Sequence, residues 1–355
     1  MWGLKRLKWA SPRADAATAS QVENPAAKAR RLADAGHYRE AIDLLAAEDP
    51  DSLDVDSLCD LVLWRHAAFN PEPGLPSWPP RFIDPFPGVQ GPPEIQIGDL
   101  TADILGGAIQ HHGCLLVRGM IDDAQVRQLS SVVGSAFETA GAMRAAPGAA
   151  ARSPWYAPYP LSPNDEMTQG GREFATSCGA IWTADAPRAL ADFIAFLGAH
   201  GVSKVIEAYL GERAFLSLGK ATLRVVPPTT GTNWHQDGAF LGKDIRTVNV
   251  WLALSDCGED ASGLDIYPER MTGLVETGTK GAMASWTVGE WLVEEMLEGR
   301  PVITPVFKAG DAMLFDQMLL HRTGVHPGMT KERLAIETWF FAGSTFPMKQ
   351  IPIAI

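Results

Sequence analysis

His235 stands in the segment Asn233-Trp234-His235-Gln236-Asp237-Gly238. Residues two apart in an extended chain project to the same side, so this imidazole and the Asp237 carboxylate can grip one ion together. A third ligand must come from elsewhere. His321 is the best placed, because it follows AGDAMLFDQMLL, whose apolar residues predict a strand. Two histidines and a carboxylate make a facial triad, an arrangement that suits Fe(II) and leaves coordination positions open. A lone HxD triplet is weak, since it arises by chance in many chains, and the remaining histidines offer no second one. His326 rivals His321, but it precedes Pro327 in what reads as a turn, where a solvated loop histidine is expected.

Arg333 follows His321 by 12 residues and opens KERLAIETWFF. At the start of an apolar strand an unpaired charge is costly unless a ligand supplies the counter-charge. A dicarboxylate such as 2-oxoglutarate can chelate iron through its keto acid end, and an arginine fork can hold its far carboxylate by two parallel hydrogen bonds. The competing reading of Arg333 is a strand-end arginine whose head reaches solvent. Histidine and carboxylate ligands also suit zinc, which leaves a hydrolase or a non-catalytic metal-binding barrel as the alternative.

These residues need elements to position them. From about residue 215 the chain reads as short strands between Gly/Pro turns: AFLSLG, TLRVV, TVNVWLAL, GLDIYP, PVITPV, AMLFD and RLAIETWFF. That pattern indicates a β-sandwich or barrel. Upstream, TADILGGAIQHHGCLLVRGMIDDAQVRQLSSVV predicts helix, short strand and helix, and Leu190, Phe193, Ile194 and Leu197 mark an amphipathic helix. Residues 141–180, rich in Gly, Pro and Ala, read as a long irregular segment of the lid or surface-loop kind. Residues 1–24 are expected to be flexible. Residues 25–70 predict a helical hairpin like one tetratricopeptide unit, with Gly36 as its break. A single unit cannot stack on copies of itself, so it is expected to cap the main domain, with recruitment of a protein partner as the alternative. Residues 71–94 are proline-rich and form the expected connector to a main domain over 95–355.

Composition narrows the class. The 355 residues carry 30 Lys+Arg and 42 Asp+Glu, a net charge of −12, with 46% hydrophobic and 20% charged residues. Such a chain buries a core and is not disordered as a whole. Its acidity argues against nucleic acid as the main partner. No apolar run approaches the roughly 18 residues of a membrane span, and the start lacks a signal peptide's apolar stretch, so a cytoplasmic protein is expected. Cys59, Cys114, Cys178 and Cys257 form no CxxC pair and are expected to be buried free thiols.

Along residues 96–355 the sequence resembles the phytanoyl-CoA dioxygenase-like Fe(II)/2-oxoglutarate oxygenases. The resemblance runs through HHGCLLVRGMI, NWHQDGAF, TVNVWLALSDCGEDASGLDIYP, FKAGDAMLFDQMLLHRTGVHPG and the Arg333 strand, in matching order and spacing. It implies a mainly β architecture with helices, a double-stranded β-helix of the jelly-roll or cupin kind with flanking helices. It also implies His235, Asp237 and His321 as iron ligands, with Fe(II), 2-oxoglutarate and O2 as cofactor and cosubstrates. Arg333 matches the residue that clamps the 2-oxoglutarate tail, Thr323 a hydroxyl position two after the distal histidine, and Trp251 an aromatic that contacts the cosubstrate. Asn249 shares the face of Trp251, while Ser217, Lys220 and Arg224 are unranked candidates on the strands before the HxD motif. Related halogenases keep a small residue at the carboxylate position, so Asp237 implies hydroxylation of a small molecule, with succinate and CO2 released. Trp155, Tyr156, Tyr159, Arg172 and Trp286 are candidates for lining the substrate pocket.

Overall fold

A computed structural model describes residues 24–71, 79–146, 152–161, 166–347 and 349–355. The expected flexible N-terminus and part of the proline-rich connector lie outside them.

Three helices open the described chain, α1 (Pro25–Asp34), α2 (Tyr38–Ala46) and α3 (Val55–Ala67). Asn24 and Asp54 cap α1 and α3 by accepting hydrogen bonds from backbone amides, which satisfies donors that a helix start leaves unpaired. The region therefore holds a third helix beyond the expected hairpin. Ala29, Ile42, Leu45, Leu61 and Trp64 form one apolar cluster with Phe215 and Ala354 of the main sheet. Arg65 Nη1 donates to the carbonyl of Ala354.

There follow β1 (Glu94–Gln96), α4 (Ala102–His112), β2 (Cys114–Arg118), α5 (Asp123–Ala145), α6 (Glu166–Ser177) and β3 (Ala180–Trp182). Gly113 sits at φ 88° between α4 and β2, a left-handed turn that a side chain would strain. The segment read as irregular over 141–180 thus contains a 12-residue helix, α6. Its two adjacent glycines, Gly170 and Gly171, mask it in the sequence, because glycine is a poor helix former. Next come α7 (Pro187–Ala199), α8 (Val202–Leu210), β4 (Ala214–Val226), α9 (Gly238–Leu241), β5 (Thr247–Ala253), β6 (Gly263–Ile266), α10 (Glu290–Leu297), β7 (Ala312–Phe315), β8 (His321–Gly324), β9 (Arg333–Ala342) and β10 (Pro352–Ala354).

The large sheet has the order β1-β2-β7-β5-β9-β4-β10, with β3 also paired to β4, and β6 and β8 form a second, two-stranded sheet. Alternation divides its strands between two cores. Val248, Val250, Leu252, Ile336 and Phe340 pack with the helices, among Leu105, Val133 and Phe193. Trp251, Ala253, Ala335, Trp339 and Phe341 face the opposite way, onto Leu264 and Ile266 of the small sheet. The two sheets with helices on one outer face are a double-stranded β-helix of mixed α and β content.

AFLSLG and TLRVV, read as two strands, are one strand with a register shift between Leu216 and Ala221. The shift changes the phase of alternation: Leu216 and Leu218 face the helices before it, and Leu223 does so after it. PVITPV forms no strand. It makes a single bridge at Ile303, with another at Phe307 just beyond it, since Pro301 and Pro305 have no amide to donate. Among the described residues, no single helix is long and apolar enough to cross a membrane. Cys59, Cys114 and Cys257 are buried free thiols, but Cys178 is only partly buried, against the expectation.

Candidate metal centre

One main-chain pair brings two histidines together. His235 and His321 exchange N–H···O bonds of 2.9 and 3.0 Å, which sets their rings 4.4 Å apart, centroid to centroid. Asp237 is not in extended chain as the triplet suggested. It turns into the helical region (φ −61°, ψ −24°) at the start of α9 and reaches the histidines from the side. The tight turn needs Gly238, where a Cβ would meet Leu274 at 3.0 Å and the Gln317 carbonyl oxygen at 3.2 Å. Gln236 locks the turn: its amide donates to the carbonyls of Gly273 and Met318 and accepts from the Val275 amide.

One ligand atom from each of His235, Asp237 and His321 lies within 4.8 Å of the others. Each imidazole is held by its other nitrogen. Nδ1 of His235 lies 2.7 Å from the Asn233 carbonyl, and Nδ1 of His321 lies 3.0 Å from the Leu319 carbonyl. A carbonyl only accepts, so Nδ1 carries the proton in both rings and the Nε2 lone pairs are free for a metal. Burial, reinforced by His321, holds the His235 pKa at about 3, so the ring is neutral at pH 7. Burial pushes the Asp237 carboxyl above its ordinary range, against the pull of Lys220 and His321. Together these describe two imidazole donors beside a carboxylate that, among the described residues, has no nitrogen partner at hydrogen-bond distance. Its nearest are His321 Nε2 at 3.7 Å and Lys220 Nζ at 3.9 Å. A dication relieves that arrangement.

His326 stands outside the cluster. Its Nε2 meets Asp265 at 3.1 Å, so it is a partner of a buried carboxylate and not the freely solvated loop residue expected. Arg322 also points away from the centre, donating to Asp265 and Glu290 and lying over Trp234.

Arg333 is 1% exposed and reaches from the large sheet to the small one, where Nη1 donates to the carbonyls of Ser262 and Gly263. It makes no ion pair among the described residues, its Nε has no partner, and its guanidinium lies 5.3 Å from the centre of the Trp251 ring. Register places it relative to the histidines: His321 lies opposite Ile266, Thr323 opposite Leu264, and Gly324 opposite Gly263. The guanidinium is therefore about 10 Å from His321 along β8, with buried Thr323 between them. Asn249, fully buried opposite Phe315 and Trp339, has neither amide atom paired. The donor set thus fits a hard or borderline metal, and the unpaired buried cation fits a dicarboxylate.

A cavity of about 540 Å³ opens onto the centre and is lined by His235, Asp237, Lys220, Arg224, Phe240 and Trp286 among others. Of the five expected pocket residues Trp286 lines it; Trp155, Tyr156, Tyr159 and Arg172 do not, though Arg172 lies over the lining residue Trp182. Ser217 is turned aside, donating to Gln350. Glu337 was missed. It lines the cavity, accepts from Arg224 at 2.6 Å, and shares a face with Arg333 by strand alternation, which is the signal that could have found it. Burial pushes its carboxyl up, but Arg224, Lys220 and His321 outweigh this and hold it at about 2. A larger cavity of about 1010 Å³, beside Arg270 and Asp316, includes none of these groups.

The sequence matches a family model described as Phytanoyl-CoA dioxygenase (PhyH) over residues 109–327. No protein of curated function matches it. Similar solved structures include EctD from S. alaskensis with 2-oxoglutarate and 5-hydroxyectoine, 17% identical over 68% of this chain and 76% of that one, with a TM-score of 0.44. Another is SnoK, described as a non-heme alpha ketoglutarate dependent carbocyclase from nogalamycin biosynthesis, 13% identical over 71% and 87% with a TM-score of 0.46. A third is the epimerase SnoN in complex with Fe3+, alpha ketoglutarate and nogalamycin RO, 14% identical over 68% and 83% with a TM-score of 0.43.

Proposed function

The chain belongs to the phytanoyl-CoA dioxygenase (PhyH) family of Fe(II)- and 2-oxoglutarate-dependent oxygenases, and on that premise we propose that it hydroxylates a small-molecule substrate. The observation that carries this reading is the combination of one metal-ready cluster with one buried arginine of β9, free of any ion pair among the described residues, whose guanidinium meets the small sheet about 10 Å from His321 along β8. His235, Asp237 and His321 hold iron, and Arg333, with Thr323, holds the far carboxylate of 2-oxoglutarate. Asn249 and Trp251 line the same interior face. Bound there, iron and 2-oxoglutarate supply the oxidising chemistry, in which O2 converts 2-oxoglutarate to succinate and CO2 and one oxygen atom enters a substrate C–H bond.

The chain's own contribution is positional. The paired backbone of His235 and His321 keeps two ligands in one geometry, and their Nδ1 bonds place the neutral ring's proton on Nδ1, so that Nε2 is the nitrogen offered to a metal. Trp286 sets its edge against His235 at 5.9 Å between centroids and against Phe240 at 5.5 Å, forming an apolar wall that excludes water beside the centre. The Arg224–Glu337 pair closes the floor without net charge. A zinc hydrolase would need the three ligands but would leave Arg333 buried without a counter-charge.

An anaerobic optical titration with Fe(II) and then 2-oxoglutarate tests the reading. Chelation of iron by a 2-oxo acid gives a visible charge-transfer band, expected in the wild type and lost in Asp237→Ala. Wild-type protein that binds metal but shows no band would reject it in favour of the hydrolase or scaffold.

A further inference from the structure

We infer that the substrate is a small, ring-bearing organic anion whose negative group is seated by Lys220 and Lys349. The inference rests on the proposed iron and 2-oxoglutarate site and follows from what that site leaves uncompensated. The cavity is lined by the cations Lys220, Arg224 and Lys349 and by the carboxylates Asp237 and Glu337. Arg224 and Glu337 cancel one another at 2.6 Å. Iron with Asp237, and 2-oxoglutarate with Arg333, sum to neutral. The ammonium of Lys220 remains, with that of Lys349, an exposed residue of the cavity lining, in a chain whose overall charge is −12. A net positive cavity in an acidic protein is a local choice, and it selects an anion.

Lys220 is held for this task. It lies at the register shift of β4, and an irregularity of this kind re-aims a side chain beside an active site. Its ammonium sits 4.1 Å from the centre of the Phe240 ring and 3.9 Å from Asp237. Once Asp237 is committed to a metal, that long contact no longer supplies a counter-charge, and the ammonium faces a dication. An incoming carboxylate or phosphate removes the repulsion.

The body of the ligand is set by the aromatic residues beside Phe240. Trp286 is edge-on to His235, to Phe240 and, at 6.3 Å, to Phe174 of α6, which is 56% exposed at the rim. Such a wall takes a flat or cyclic body by stacking and edge contacts. A cavity of about 540 Å³ is within the usual size of small-molecule sites.

The test uses the anaerobic Fe(II)–2-oxoglutarate enzyme and calorimetric titration with indole-3-acetate, 3-phenylpropionate and phenyl phosphate. Each is paired with its neutral counterpart, the two amides and phenol. A charge-assisted hydrogen bond gives the anions an affinity at least about tenfold above their partners. Lys220→Gln and Lys349→Gln should each shrink that gap, and Lys220→Arg should restore it. The tighter of the carboxylate and phosphate arms identifies the anionic group. With the charge-transfer band present, equal binding of neutral partners, a gap that survives both glutamine variants, or no binding by any anion overturns the inference. A Lys220→Gln enzyme that loses 2-oxoglutarate affinity while keeping the anion preference also overturns it, by assigning Lys220 to the cosubstrate. Absence of the band in the wild type instead strikes at the iron and 2-oxoglutarate reading.

Discussion

Arg333→Met separates a cosubstrate clamp from a structural strut, because the two roles predict opposite signs for stability. Burial, with repulsion from Arg224, brings the guanidinium pKa down from 12.5 to about 10. Its charge therefore costs the metal-free protein about 3 kcal/mol. Methionine has a similar reach, fills the space and carries no charge. What is lost is the pair of hydrogen bonds to the Ser262 and Gly263 carbonyls, at 3.3 and 3.1 Å, worth about 1 kcal/mol each. The expected balance is a metal-free variant equal to wild type or more stable by about 1 kcal/mol. Its affinity for 2-oxoglutarate should fall by at least about 100-fold, since two charge-assisted hydrogen bonds of about 1.5 kcal/mol or more disappear. Calorimetric melting of the metal-free proteins gives the first quantity, and titration of the charge-transfer band with 2-oxoglutarate gives the second. A variant that melts well below wild type and binds 2-oxoglutarate normally would show that Arg333 ties the two sheets together and serves no ligand.

Other perturbations read other parts of the structure. His326→Ala should keep the charge-transfer band, since its ring faces Asp265; a lost band would return it to the ligand set. Glu337 has a folded-state pKa of about 2 against an ordinary 4.5, so its ionised form contributes stability present above pH 4.5 that is lost as pH falls toward 2. Glu337→Gln should therefore flatten the acid limb of metal-free stability between those values, measured by urea unfolding at several pH values, and an unchanged limb would show that the pair with Arg224 stores nothing. Trp64→Ala, in the cluster joining the N-terminal helices to Phe215 and Ala354, should cost about 3–5 kcal/mol in urea unfolding. A cost under about 1 kcal/mol would mean that these helices stand apart and are available for a partner.

The parts of the centre that were legible in the sequence are those fixed by local pattern. His235 and Asp237 are two apart, His321 follows an apolar run, and Arg333 opens a strand, so residue type and position sufficed to single them out. Strand alternation likewise separated Thr323 from Arg322. The remainder depended on pairing. Lys220 and Arg224 enter the cavity because β4 changes phase at its register shift; the sequence marks the place with Gly219, where it reads as a break between two strands, but the continuity and the new phase are decided by the partner β9. Glu337 drew no reading from the sequence, although it alternates with Arg333; its place in the cavity follows from its register opposite Trp251 and Thr222. PVITPV has strand-like residues, but its prolines remove the amides that a ladder requires. Asp237 turned helical because Gly238 permits a close approach to Gln317, a contact 79 residues distant.

The order of the large sheet also dictates when the protein can become whole during synthesis. β4 lies between β9 and β10, so apart from its short pairing with β3 its hydrogen-bonding edges stay unpaired until more than a hundred further residues have left the ribosome. The first three helices wait longer, since Arg65 meets its acceptor at Ala354, 289 residues on. Loop closure on that scale makes assembly slow and leaves apolar strand edges open to wrong pairing in the nascent chain. Recombinant yield should accordingly respond to slower translation, lower temperature or added chaperone more than to any substitution at the metal centre.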